Sequence, residues 1–147
     1  MKLSTALRYA EEIAQRLRRV NGLIATPLCD REAVRIRRAW VFGSTIKGSQ
    51  APNDLDVLLE IHGVGGARDW RHGKLDKRAL RSYGYWHAIS STNEALKWIS
   101  RGMRNVSRHC TDLEGGLDLG PKVMIYPRND LPAYMERLKE SGAAPSP

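Results

Sequence analysis

Cysteine is scarce in this chain of 147 residues: Cys29 and Cys110 stand far apart and in no C-x-x-C pair. That excludes a disulfide framework and a zinc module, and it suits a reducing, cytoplasmic setting. Long apolar runs are missing too. Residues 1–20 carry a charge every few positions, so they form neither a signal peptide nor a membrane span, and no membrane partner is expected. His62, His72 and His87 share no metal-ligand spacing; His109, beside Arg108 and Cys110, either approaches the active face or caps the sheet edge, and the structural role is favoured. Gly63-Val64-Gly65-Gly66 is not followed by Lys-Ser or Lys-Thr, which excludes a P-loop, and Gly43-Ser44 lacks the G-x-S-x-G frame of a hydrolase elbow. Acidic residues are in deficit, with 16 Asp and Glu against 24 Lys and Arg, a net charge of +8. The excess is scattered along the chain. It favours a polyanionic partner such as RNA, DNA or a nucleotide.

What is present suffices for one core, since 41% of residues are hydrophobic. A single domain over residues 1–140 is expected, followed by a frayed tail, 141–147, with nothing bulkier than alanine or proline to anchor it. Leu3, Leu7, Ala10, Ile13, Leu17 and Val20 recur at helical spacing with charges between them, and Asn21-Gly22 ends that amphipathic helix. A basic stretch, Arg31 to Arg38, precedes the short apolar run Ala39-Trp40-Val41-Phe42, which reads as a buried strand stopped by Gly43-Ser44. Leu55 to Ile61 reads as a second central strand, and the glycines at 63, 65 and 66 as a loop. A helical region follows, its second piece opened by a capping box of Ser91 and Glu94 and stopped near Gly102. Val106 to Leu113 and Lys122 to Tyr126 read as strands, and Asp130 with Pro132 opens a last helix striped by Tyr134, Met135 and Leu138. The expected fold class is α/β (α+β), a small mixed central sheet flanked by helices.

The chemistry concentrates at Gly43-Ser44 and Asp54-Leu55-Asp56. A Gly-Ser turn after a buried strand lets the backbone approach a phosphate closely, and Ser44 adds a hydroxyl donor. Lys47 lies close enough in sequence to sit beside the same phosphates. On a strand, residues two apart share a face, so Asp54 and Asp56 project together. Two like charges about 6 Å apart repel by roughly 3 kcal/mol at an effective dielectric near 20, so the pair wants a cation. Mg²⁺ or Mn²⁺, which take carboxylate and phosphate oxygens, suit it. Trp70, Tyr83, Tyr85 and Trp86, interleaved with Arg68, Arg71, Lys74, Lys77, Arg78 and Arg81, suit either helix packing or contact with nucleic acid.

Apolar strand, Gly-Ser, about ten residues, Asp-x-Asp, apolar strand: over residues 39 to 61 this order resembles the polymerase β nucleotidyltransferase superfamily, and its small stand-alone members in particular. The resemblance implies triphosphate contact by Gly43 and Ser44 and metal binding by Asp54 and Asp56. It further implies a third acid on a later strand, which helps hold the metal and activates the acceptor hydroxyl. Asp112 is the first choice, Asp118 the second and Glu60 the third. The implied activity is transfer of a nucleoside monophosphate from an NTP to a hydroxyl on RNA, protein or a small molecule. The alternative is a catalytically weakened version of the fold acting as a nucleic-acid or partner-protein module, antitoxin-like or phage-accessory in kind.

Overall fold

In the computed structural model, the described residues are 1–25, 32–66, 96–110 and 120–141. They form helix α1 (Leu3–Arg19), strands β1 (Leu23–Ala25) and β2 (Glu32–Phe42), a 3₁₀ turn (Gly43–Thr45), β3 (Leu55–Gly66), β4 (Val106–Cys110), β5 (Lys122–Tyr126) and helix α2 (Leu131–Glu140). Residues 96–99 are also helical. The mixed α+β class expected from the sequence is the one found.

One five-stranded sheet organises the chain. β2 pairs antiparallel with β3 along one edge; along its other edge it pairs with β1 at one end and β5 at the other. β4 adds to the far side of β3 as the parallel neighbour. The alternation of strand side chains then sorts the residues. Val41, Leu55, Val57, Leu59 and Ile125 point to one face and are buried against Ala6, Ala10, Ile13 and Leu17 of α1 and Leu131 and Met135 of α2. Fully burying side chains of this size stabilises by about 1.5 to 3 kcal/mol each, so this layer is the main source of stability.

The helix ends follow the sequence signals. Asn21 and Gly22 both take positive φ, 53° and 70°, which stops α1 and turns the chain into β1. Gly102, at φ 81°, follows the helical residues 96–99. Arg16 of α1 donates to the carbonyls of Trp98 and Ile99 at 3.3 and 3.0 Å, satisfying acceptors at that helix end. At the start of α2, the Asn129 side chain, rather than Asp130, accepts the Leu131 N–H at 3.2 Å. Pro132 sits in the first turn, where its missing N–H costs nothing.

Three expectations change. β2 begins at Glu32, not Ala39, so the basic stretch from Glu32 to Arg38 is strand, and β1 is an additional strand. The glycines at 63, 65 and 66 do not form a loop: β3 runs on to Gly66, with Gly63 opposite Arg35, Gly65 opposite Ala33 and Gly66 opposite Glu32. The long partner strand supplies a ladder that outweighs the weak strand preference of glycine. Asp112, Asp118, the capping box of Ser91 and Glu94, the aromatic and basic segment from Arg68 to Trp86, Cys29 and the tail from 142 lie outside the described residues. Among the described residues no helix is long and apolar enough to cross a membrane.

Candidate functional site

The site is built where β2 ends and β3 begins, on the sheet face opposite the helices. Phe42 is the cross-strand partner of Asp56, so the Gly43-Ser44 turn leaves β2 directly beside that aspartate. Gly43 has φ +77°, a left-handed conformation, and a Cβ placed on it would lie 2.5 Å from Asp56 Oδ2. Glycine suits this backbone angle, and any Cβ here would make the Asp56 carboxylate shift. The 3₁₀ turn is closed by Lys47 N–H to Gly43 C=O at 3.3 Å and Ser49 N–H to Ser44 C=O at 3.2 Å. Tyr134 of α2 ties the turn down from outside, donating to Ile46 C=O at 2.8 Å.

Asp54, at the bend before β3, accepts a hydrogen bond from Ser107 Oγ of β4. Asp56, two residues on, lies 3.5 Å from His109 Nε2. Burial, reinforced by the Asp54 carboxylate, pushes the Asp56 carboxyl above its ordinary value of 3.8, while His109 pulls it part of the way back. The two aspartates therefore feel each other, as their spacing requires. His109 is steadied by an edge-to-face contact with Phe42, ring centroids 5.1 Å apart.

The registers define two rows across this face. One runs Lys122, Phe42, Asp56, Ser107; the next runs Met124, Trp40, Leu58, His109. Phe42 and Leu58 are buried yet stand outside the helix-side core, as members of the opposite face should.

Gly43, Ser44, Asp54 and Asp56 thus come together at one point. Lys47 is exposed, and it contributes its backbone N–H to the turn. Glu60 shares the face of Asp56 but stands four residues along β3, about 13 Å away at strand rise, with Arg38 Nε 3.6 Å from its carboxylate. The sequence pattern did not single out Ser107, and it left His109 between the active face and a structural place at the sheet edge, favouring the latter. The alternation of β4 places both opposite buried Cys110, and only the parallel pairing of β4 with β3 brings them to the aspartates.

Mg²⁺ binds through one or two carboxylates completed by substrate phosphate. Asp54 and Asp56 match that donor set, and the upward push on Asp56, which comes first from burial and then from the Asp54 carboxylate, is one that a bound cation would relieve. Among the described residues, no group of three or more His, Cys, Asp or Glu side chains is arranged to hold a metal by itself. The chemistry this arrangement suits is binding of a metal-chelated polyphosphate, with the glycine-serine backbone on one side and carboxylates on the other. Comparison of the chain with protein-family models, with curated proteins and with solved structures gives no match.

Proposed function

We propose that the chain is a metal-dependent nucleotidyltransferase that moves a nucleoside monophosphate from an NTP to a hydroxyl acceptor on RNA, protein or a small molecule. One observation carries this reading: the backbone of Gly43 abuts the carboxylate of Asp56, which joins a strand-end Gly-Ser turn to a pair of same-face aspartates. The order of these parts is the one that resembles the polymerase β superfamily.

In this reading Gly43 and Ser44 receive the triphosphate, with Ser44 Oγ and the leading N–H groups of the turn as donors. Asp54 and Asp56 would hold Mg²⁺ or Mn²⁺, which when bound neutralises charge on the phosphate oxygens and on the departing pyrophosphate. The acceptor oxygen bonds to the α-phosphorus as the α-phosphorus to bridging-oxygen bond breaks. Pyrophosphate leaves with that bond's electron pair, and the acceptor proton passes to a base. Asp112, two residues beyond the end of β4 in sequence, is the proposed base and third metal ligand. The protein's contribution is mostly positioning and charge complementarity.

A second reading is favoured by one specific feature. The described β4 positions beside the aspartates are Ser107 and His109, neither of them a carboxylate. On that reading the chain binds nucleotide or nucleic acid without transferring it. Incubation with labelled NTPs and Mg²⁺ or Mn²⁺, with and without cellular RNA, separates the two. Label transfer by the wild type that is lost in Asp54→Asn and Asp56→Asn supports the enzyme. Nucleic-acid binding without transfer in any variant supports the module.

A further inference from the structure

We infer that Lys122 is the side-chain cation of the polyphosphate subsite, a role that the sequence suggested for Lys47. The inference rests on the nucleotide-binding reading of the Gly43, Asp54 and Asp56 site.

The register is the first argument. Lys122 opens β5 as the cross-strand partner of Phe42, the last residue before the Gly43-Ser44 turn. It therefore flanks the exit of β2 on one side while Asp56 flanks it on the other. Two strand spacings, about 10 Å between Cα atoms, separate Lys122 from Asp56.

The side chain's direction is the second. Lys122 Nζ lies over the Trp40 ring, 4.3 Å from its centroid. Trp40 and Phe42 are two apart on β2 and share a face, and Phe42 touches His109, which in turn pairs with Asp56. Lys122 is thus held on the face that carries the aspartates. An ammonium resting on an indole gives up little rotamer freedom when it turns to an anion, because the ring has already confined it.

Charge is the third. Lys122 is exposed and makes no salt bridge among the described residues. Arg38 of β2, another cation on this face, is engaged with Glu60. Among the described residues, Lys122 is therefore a cation of this face without a competing carboxylate. A polyphosphate chain laid from the carboxylate pair across the mouth of the turn leads toward it. A monophosphate bound at the turn need not reach it, so Lys122 would discriminate by the length of the phosphate chain.

Calorimetric titration of the full chain with inorganic tripolyphosphate, and with ATP and AMP, in the presence of Mg²⁺ tests this without relying on turnover. Lys122→Ala is expected to weaken tripolyphosphate and ATP binding by at least about tenfold, the scale of one lost charge-assisted hydrogen bond, and AMP binding by less than about twofold. Lys122→Arg should retain most of the affinity. Trp40→Leu, which removes the resting place but not the charge, should give a loss of about threefold. Equal affinities in wild type and Lys122→Ala, with both proteins melting alike, would overturn the role of Lys122 and leave the site reading standing. Failure of the wild type to bind either tripolyphosphate or ATP would overturn the site reading, and this inference with it.

Discussion

Asp56 Oδ2 occupies the space beside Gly43 that any other residue would need for its Cβ: a Cβ placed there would lie 2.5 Å from it. Turn and carboxylate are therefore a single packed unit. Gly43→Ala is expected to lose about 1 to 3 kcal/mol of stability from the left-handed backbone alone, and more from the collision with the carboxylate. Gly102→Ala is the matched control: Gly102 also has positive φ, 81°, but open space where its Cβ would go. Urea denaturation of both variants isolates the contact as the excess loss at position 43. Equal losses at the two positions would mean that Asp56 yields freely and that the contact fixes nothing.

Asp56 sets a pH dependence whose sign is determined. Its carboxyl titrates above 3.8 in the folded chain because of burial and the Asp54 charge, with His109 opposing. The folded state therefore holds this proton more tightly than the unfolded state does. The resulting stabilisation is complete below pH 3.8 and is lost as pH rises through the folded value. At neutral pH the ionised carboxylate is a burden on the fold. Asp56→Asn should accordingly melt higher than wild type near pH 7, with the gap closing as pH falls toward 3.8. Thermal melts of the two proteins from pH 7 to pH 3.5 measure it, and a gap that widened with acid would contradict the assigned environment.

The same burden predicts a response to divalent cations. A cation bound by Asp54 and Asp56 in the folded state alone stabilises by about 1.4 kcal/mol at ten times its dissociation constant. For a chain of this length that corresponds to roughly 3 to 6 °C in the melting midpoint. Mg²⁺ or Mn²⁺ should raise the wild-type midpoint on that scale, and the Asp54→Asn and Asp56→Asn variants by less than about 1 °C. Ca²⁺ and matched ionic strength from NaCl are the comparisons. An equal rise in all three proteins would assign the effect to surface screening.

The parts of this architecture that are local were legible in the sequence, and the parts that depend on register were not. The spacing of Leu3, Ala10, Ile13 and Leu17 declares a helix whatever packs against it, and Gly43-Ser44 declares a turn. β2 was read four residues long, although it spans Glu32–Phe42, because its alternation breaks. Ile36 is buried, Arg37 and Arg38 are both exposed, and Ala39 is buried again, since the pairing with β3 shifts register between Ile36 and Arg38. A bulge of that kind erases the period-two signal just where the strand is most basic. Asp54 and Asp56 were identified because two-residue spacing alone places them on one face. Ser107 was not, and His109 was left between two places, because their proximity comes from a parallel pairing across some fifty residues of chain, and nothing in the local pattern encodes which strand β4 joins. The place of Lys122 beside Phe42 likewise follows from pairing, that of β5 with β2 across some eighty residues of chain.

Helix α2 supports the turn from outside the sheet. Tyr134 is half-buried on α2, and its hydroxyl donates to Ile46 C=O at 2.8 Å, one residue after the 3₁₀ turn. The same short stretch is held from within by Gly48 N–H to Thr45 C=O and Ser49 N–H to Ser44 C=O, each 3.2 Å. Bonds of that length at the edge of a turn are weak individually, so the tyrosine tether should matter more than one hydrogen bond in a helix interior. Tyr134→Phe keeps the ring and its packing, and it leaves a carbonyl of a nearly fully buried residue without its partner. The expected loss is about 0.5 to 1.5 kcal/mol in global stability. The diagnostic effect is local: hydrogen exchange at the Gly48 and Ser49 amides should accelerate by more than the global loss accounts for, while amides in the centre of β3 change only with global stability. If all amides accelerate together, Tyr134 serves the fold as a whole, and the Gly43-Ser44 turn keeps its shape without help from α2.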